Sequence, residues 1–240
     1  MPERTLRVGA LYPDLLNIYA DRGNLLMLER RCAWRGIGFE LVRSSLGDEL
    51  DPDAHDLLYL GGGQDRDQKL CALDLSTVKR DAVHAHAARG GAVLAVCGGY
   101  QLLGHEYALQ PGEHLPGVGL LDLRTERGDG RLIGNVAIEV DGRTLAGFEN
   151  HGGRTILAEG QEPLGRVLAG HGNTGTSGYE GARRGNVVGT YLHGPLLPKN
   201  AWFADWLIAA ALGLDAAELA PLDDRFEDAA HGEARRAAGV

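Results

Sequence analysis

Short apolar runs alternate with amphipathic stretches through the first hundred or so residues, a rhythm that predicts strands separated by helices. Leu6 to Leu11 reads as a strand. Asn24 is placed to cap a helix whose Leu25, Leu28 and Cys32 share one face at i, i+3, i+7 spacing, and Gly36 and Gly38 end it. Phe39 to Val42 and Asp56 to Leu60 read as two further strands, the second running into Gly61-Gly62-Gly63. Ser76 is placed to cap another helix through Arg89, stopped by Gly90-Gly91. Ala92 to Val96 is small and wholly apolar, as suits the centre of a parallel sheet. The expected class is α/β, a doubly wound and mostly parallel sheet flanked by helices.

From about residue 115 the pattern changes. Asn135 to Val140, Arg143 to Phe148, Gly165 to Ala169 and Asn186 to Leu192 are strand-like, with turns such as Asp141-Gly142 between them, so antiparallel strands are expected in this half. A helix rich in Ala, Trp and Leu is expected from Asn200 to Leu212. The charged, Ala-rich tail of 215–240 reads as a last helix. With no internal repeat and no low-complexity linker, residues 1–240 read as a single domain.

Composition narrows the classes of function. The 36 glycines are about twice the ordinary share of roughly 7% and fall in short clusters, which points to many tight turns. A net charge of −9 without any Lys/Arg-rich run argues against a nucleic-acid surface. No apolar stretch approaches the roughly 20 residues that cross a bilayer, and Met1 to Arg7 lacks the apolar core of a secretion signal; a cytoplasmic location is the expectation. The three cysteines, at 32, 71 and 97, form no C-x-x-C pair, so neither a disulfide framework nor a metal site is expected.

Position separates the cysteines. Ala95-Val96-Cys97-Gly98-Gly99 fits the small-x-nucleophile-x-Gly pattern of a strand-to-helix elbow, where the nucleophile occupies a strained turn and its neighbours two residues away are small. Such a turn lifts the sulfur to the carboxyl end of the sheet, and the helix that follows, Gly99 to Leu103, favours the thiolate. A thiol nucleophile needs a base within hydrogen-bond reach. Among nine histidines, His193 ends the apolar run Val187 to Leu192, ahead of Gly194-Pro195, and reaches the elbow's edge if that strand is parallel. His84 and His86 are two apart on a helix and so diverge. The backbone amides of Gly98 and of the Gly62–Gly63 loop are candidates for an oxyanion site.

Gly-Gly-Gly-Gln (61–64), Val-Cys-Gly-Gly-Tyr-Gln (96–101) and Tyr-Leu-His-Gly-Pro (191–195) together resemble class I glutamine amidotransferase domains, a flavodoxin-like fold, over nearly the whole chain. The nearer likeness is to the cobyric-acid-synthase-like branch, which lacks the usual Glu two residues beyond the histidine; here that position is Pro195. The segments 12–24, 131–135 and 147–155 are similar to the glutaminase subunits of lipid II isoglutaminyl synthases. That resemblance implies L-glutamine as substrate, Gln101 and Arg131 as its contacts, and Asn150 and His151 lining the pocket. It also implies a heterodimer with a Mur-ligase-like catalytic subunit that binds the lipid-linked acceptor and amidates the D-glutamate of its stem peptide. No cofactor is expected on this chain, with ATP and magnesium on the partner. Rival readings are an amidotransferase for cobalamin-type synthesis, disfavoured by the lack of a fused ligase domain, and a non-catalytic amino-acid-binding scaffold. The missing Glu leaves three options for orienting His193: the dyad alone, another residue of the chain, or an acidic group lent by the partner.

Overall fold

The protein is described by a computed structural model over residues 4–18 and 21–240; residues 1–3, and Tyr19 and Ala20 within the segment 12–24, lie outside the described residues. The first half runs β1 (Thr5–Leu11), α1 (Arg22–Trp34), β2 (Gly38–Ser44), β3 (Leu57–Leu60), α2 (Asp65–Thr77), α3 (Arg80–Ala88), β4 (Ala92–Val96) and α4 (Gly98–Leu103). The second half adds β5 (Glu106–Gln110), β6 (Glu113–Pro116), β7 (Leu123–Val140), β8 (Arg143–Leu157), β9 (Gly165–Ala169), β10 (Tyr179–Glu180), β11 (Ala182–Arg184) and β12 (Val187–Thr190). It closes with α5 (Leu196–Lys199), α6 (Ala201–Leu212) and α7 (Arg225–Ala238).

The main sheet has the strand order β11-β12-β4-β3-β1-β2, parallel throughout except at β11. Helices α1, α5 and α6 pack together, as do α2, α3 and α4, and they cover the sheet so that every residue of β3 and β4 is buried. Those strands read as unbroken apolar runs because water reaches neither face. A second sheet, ordered β10-β9-β7-β5-β6 with β8 added on β7, is largely antiparallel. Its β7–β8 hairpin closes at Asp141-Gly142, both at positive φ, the conformation that two-residue hairpin turns require. Both strands outrun the apolar patterns expected at 135–140 and 143–148. Their outer halves carry alternating polar side chains that give no hydrophobic signal.

Two expectations need correction. The single helix from Ser76 to Arg89 is two helices, with α2 already under way at Asp65. Ser76 lies near the α2 C-terminus, its hydroxyl donating to the Leu73 carbonyl, and the break is held by the buried Lys79–Asp74 ion pair at 2.6 Å. Asn24 does not cap α1. Asp21 takes the N-cap position, while the buried Asn24 side chain donates to the Tyr59 hydroxyl and accepts from the Leu197 amide.

For function, the decisive feature is register. Leu11 pairs with Leu60, Leu60 with Ala95 and Val96 with Thr190, so β1, β3, β4 and β12 run parallel and end at one edge. The segments leaving those four ends carry Asp21, Gly61–Gly63, Cys97 and His193.

Candidate active site

Cys97 follows β4 at φ 49° and ψ −102°, one of three non-glycine residues at positive φ among those described. A backbone held there costs on the order of 1–3 kcal/mol, and the surroundings enforce it. The Cys97 amide donates to the Thr190 carbonyl at 2.8 Å, Gly99 donates to Gly61 at 3.1 Å, and the Cys97 carbonyl accepts from Gln101 at 3.0 Å. The small neighbours are a steric requirement: a Cβ on Gly99 would lie 2.7 Å from the Leu60 Cβ and 2.9 Å from the Gly61 carbonyl. Cys97 lines a cleft of about 550 Å³. Cys32 and Cys71 are buried core thiols, which burial pushes up to about 12.

His193 is wholly buried and lies close enough to Cys97 for the sulfur to act on its ring. Its backbone exchanges hydrogen bonds with Phe148 of β8 at 2.8 and 3.2 Å, so the second sheet helps fix it. Its Nδ1 lies 3.2 Å from Oδ1 of Asp21, which is also wholly buried. Burial alone would push this imidazole down. The charge of Cys97 and the hydrogen bonds with Asp21 and Cys97 outweigh it and raise the ring to about 10, so it holds its proton at neutral pH. His84 and His86 diverge onto the Val118 and Ala92 carbonyls.

Asp21 is the residue that sequence reasoning missed. It stands in the quoted segment 12–24, but no spacing rule joins it to a partner 172 positions away. At the head of α1 it makes no capping bond to the first-turn amides. Its Oδ2 accepts instead from the Gly62 amide at 2.7 Å. That bond corrects the oxyanion expectation at one position, because the Gly62 N–H is already committed. Gly63 lies on the cleft wall, its amide nitrogen 2.9 Å from where a Cβ on Gly98 would be, so the candidate oxyanion donors are Gly63 and Gly98.

The remaining expected residues divide. Gln101, Arg131 and His151 line the cleft, joined by Gln68, Asp65 and Tyr107, which the sequence reading did not single out. Gln101 accepts from Gln68 at 2.8 Å and donates to the Tyr191 hydroxyl at 3.1 Å, which leaves one N–H and one lone pair for a ligand. Arg131 is exposed and clamps Asn150, its Nε donating to Oδ1 at 2.6 Å and its Nη2 to the carbonyl at 2.7 Å. Asn150 stands behind Arg131 instead of on the wall, a correction to its expected place, because strand alternation turns it away while His151 turns in. The His151 ring stacks on Tyr191 with centroids 3.5 Å apart. Its Nδ1 donates to the Gly153 carbonyl at 2.8 Å, and burial pushes its basicity down against the opposing pull of Glu149.

Fold and site together are those of a glutamine amidotransferase. Solved relatives in fold include a chain of PurLQS from Thermotoga maritima (TM-score 0.59, 20% identity, 87% of this chain and 95% of that one). Another is a glutamine amidotransferase matched at TM-score 0.57 and 19% identity over 85% of this chain and 98% of its own. The CobB/CobQ-like glutamine amidotransferase domain matches residues 7–201, and the chain belongs to that family. It is 39% identical over 210 residues to the GatD subunit of the glutamine-hydrolysing lipid II isoglutaminyl synthase of Streptococcus pneumoniae, covering 86% of this chain and 80% of that one. Identity to the Staphylococcus aureus GatD subunit is 42% over 199 residues, 82% of this chain and 81% of its own. A cobyric acid synthase from Rhodococcus jostii is 39% identical over 148 residues, 59% of this chain but only 26% of that longer protein. Among the described residues no helix is long and apolar enough to cross a membrane.

Proposed function

We propose that this glutamine amidotransferase hydrolyses the side-chain amide of L-glutamine at Cys97 and passes the ammonia to a separate ligase subunit. The observation that carries this reading is the Cys97 elbow on the cleft wall, with the buried His193 ring beside it. The Cys97 sulfur bonds to the amide carbon, giving a tetrahedral intermediate whose oxygen is held by the Gly63 and Gly98 amides. The C–N bond breaks as His193 gives its proton to the departing ammonia, which leaves a thioester on Cys97. His193 then takes a proton from water, the water oxygen bonds to the thioester carbon, and glutamate leaves as the thiol is restored. Gln101, Arg131 and His151 hold the amino acid, with Arg131 suited to its carboxylate.

The acceptor follows from kinship. Both similar GatD proteins are subunits of lipid II isoglutaminyl synthases. We infer the same role here: a heterodimer in the cytoplasm with a Mur-ligase-like partner that uses ATP and magnesium to amidate the D-glutamate of the lipid-linked stem peptide. Amidation in cobalamin-type synthesis is the second reading, favoured by the CobB/CobQ-like family match. The ligase that co-purifies with the chain separates the two. The chemistry is tested by Cys97→Ala, which is expected to abolish glutamate release while leaving the circular dichroism spectrum and the melting temperature near wild type. Residual turnover within tenfold of wild type would remove Cys97 from the mechanism.

A further inference from the structure

We propose that Asp21 is the positioning residue for His193, so that the carboxylate missing two residues beyond the histidine is supplied by this chain from the segment between β1 and α1. The inference rests on the reading of Cys97 and His193 above and adds the group that sets the imidazole's tautomer.

Four observations converge on it. Asp21 and His193 are both at zero exposure and face each other at 3.2 Å through Oδ1 and Nδ1. A carboxylate oxygen in that position accepts the Nδ1 proton, which leaves Nε2 to the Cys97 sulfur and stabilises the imidazolium formed when the thiol gives up its proton. Second, Asp21 forgoes the capping bond that its place at the head of α1 offers. Its other oxygen takes the Gly62 amide, so one carboxylate holds both the imidazole and the glycine loop beside it.

Third, the backbone of Asp21 is anchored to the segment that carries His193. The Tyr59 hydroxyl donates to the Asp21 carbonyl at 3.0 Å and accepts from Asn24, whose Oδ1 accepts from the Leu197 amide at 2.8 Å. These groups are buried, and they fix the distance between two segments far apart in sequence. Fourth, Pro195 has a different duty. A Cβ on Gly23 would fall 2.5 Å from its Cγ, so the first turn of α1 is seated directly on the Pro195 ring. The residue standing where a Glu is usual instead presses the turn after Asp21 into place. His193 therefore needs no acidic group from another chain.

The test compares Asp21→Asn, His193→Gln and wild-type full-length chains by two readouts. The first is the pH profile of Cys97 alkylation by iodoacetamide, with Cys97→Ala as the blank. The second is kcat and KM for glutamine. Asp21→Asn keeps size and shape but removes the charge. The onset of alkylation is expected to move to higher pH, and kcat to fall by about a hundredfold or more with KM little changed, since loss of the analogous charge elsewhere costs on the order of 10⁴. Asp21→Glu is expected to recover part of both. Should Asp21→Asn fail to fold, proton NMR of the wild type serves instead: a strongly downfield, exchange-protected imidazole N–H signal is expected, absent in His193→Gln. An unmoved alkylation profile in Asp21→Asn, or no such proton in the wild type, overturns the proposal. If His193→Gln also alkylates and turns over glutamine like wild type, the fault lies with the Cys97–His193 reading itself.

Discussion

A single imidazole carries much of the site's pH behaviour. His193 is raised from 6.5 to about 10, against the pull of burial, by the Cys97 charge and its hydrogen bonds with Asp21 and Cys97. A ring raised in the fold binds its proton more tightly there than in the unfolded chain. The stability it confers is therefore fully present below pH 6.5 and lost as pH climbs through about 10. Glutamine turnover is expected to persist through neutral pH and to fall along an alkaline limb near that value, checked by kcat/KM against pH. Gly62 makes the same point sterically. A Cβ there would lie 2.8 Å from His193 Cε1 and 3.1 Å from Asp21 Oδ2. Gly62→Ala is expected to push the ring and carboxylate apart and to lower kcat tenfold or more, on the order of the 1.4 kcal/mol that each decade represents. Glu180 behaves in the opposite sense to an ordinary carboxylate. Burial pushes it up to about 8, although Tyr191 and Thr190 donate to it. A carboxyl raised in this way contributes stability below about pH 4.5 that is lost as pH rises through about 8. Melting temperatures of Glu180→Gln are expected to be flatter across that interval than those of the wild type.

At the scale of elements, the elbow between β4 and α4 works because the end of β3 leaves room at position 99 for nothing larger than glycine. The Leu60 side chain and the Gly61 carbonyl both press on Gly99, and that carbonyl cannot move aside without losing the hydrogen bond it accepts from the Gly99 amide. Gly99→Ala is expected to destabilise the protein by about 1–3 kcal/mol, the usual cost of overpacking, read from urea unfolding. It should also weaken Cys97 alkylation, since the turn that lifts the sulfur would relax. The β7–β8 hairpin serves differently. Its regular half packs into the second sheet, while the stretch between Arg127 and Leu132 breaks register and carries Arg131 to the cleft.

Across the whole molecule, the C-terminal region is fastened to α1 by a buried cation. Arg31 pairs with Asp205 at 2.5 Å and Asp224 at 2.7 Å, with Arg35 adding a second contact to Asp205. Removing one partner of such a cluster leaves charges unpaired, and the partial exposure of both carboxylates softens the loss. Arg31→Met is expected to cost about 2 kcal/mol, with faster hydrogen exchange in α6 and α7 as its signature. Because Cys97, His193 and Asp21 all belong to this chain, the isolated subunit is expected to release glutamate from glutamine without a ligase present. Partner binding would then act on ammonia capture and on the cleft, measured by comparing glutaminase rates with and without the ligase subunit.

Much of this was legible in the sequence, and the reason is local. The unbroken apolar run Ala92 to Val96, the small residues around Cys97 and the apolar strand ending in His193 each obey rules that act within a few residues, so the α/β class, the elbow and the imidazole could be read directly. Ser76 was misread because α2 begins in Asp65-Arg66-Asp67, where charged residues hide the apolar face that only packing reveals. What tertiary structure alone decided was the meeting of groups by register. Four parallel strands end at one edge, and only that places the carboxylate of Asp21 against an imidazole 172 residues away and takes the Gly62 amide out of the oxyanion site. Sequence periodicity specifies which face of an element is buried; which loops then share an edge depends on strand order, and strand order is a property of the folded whole.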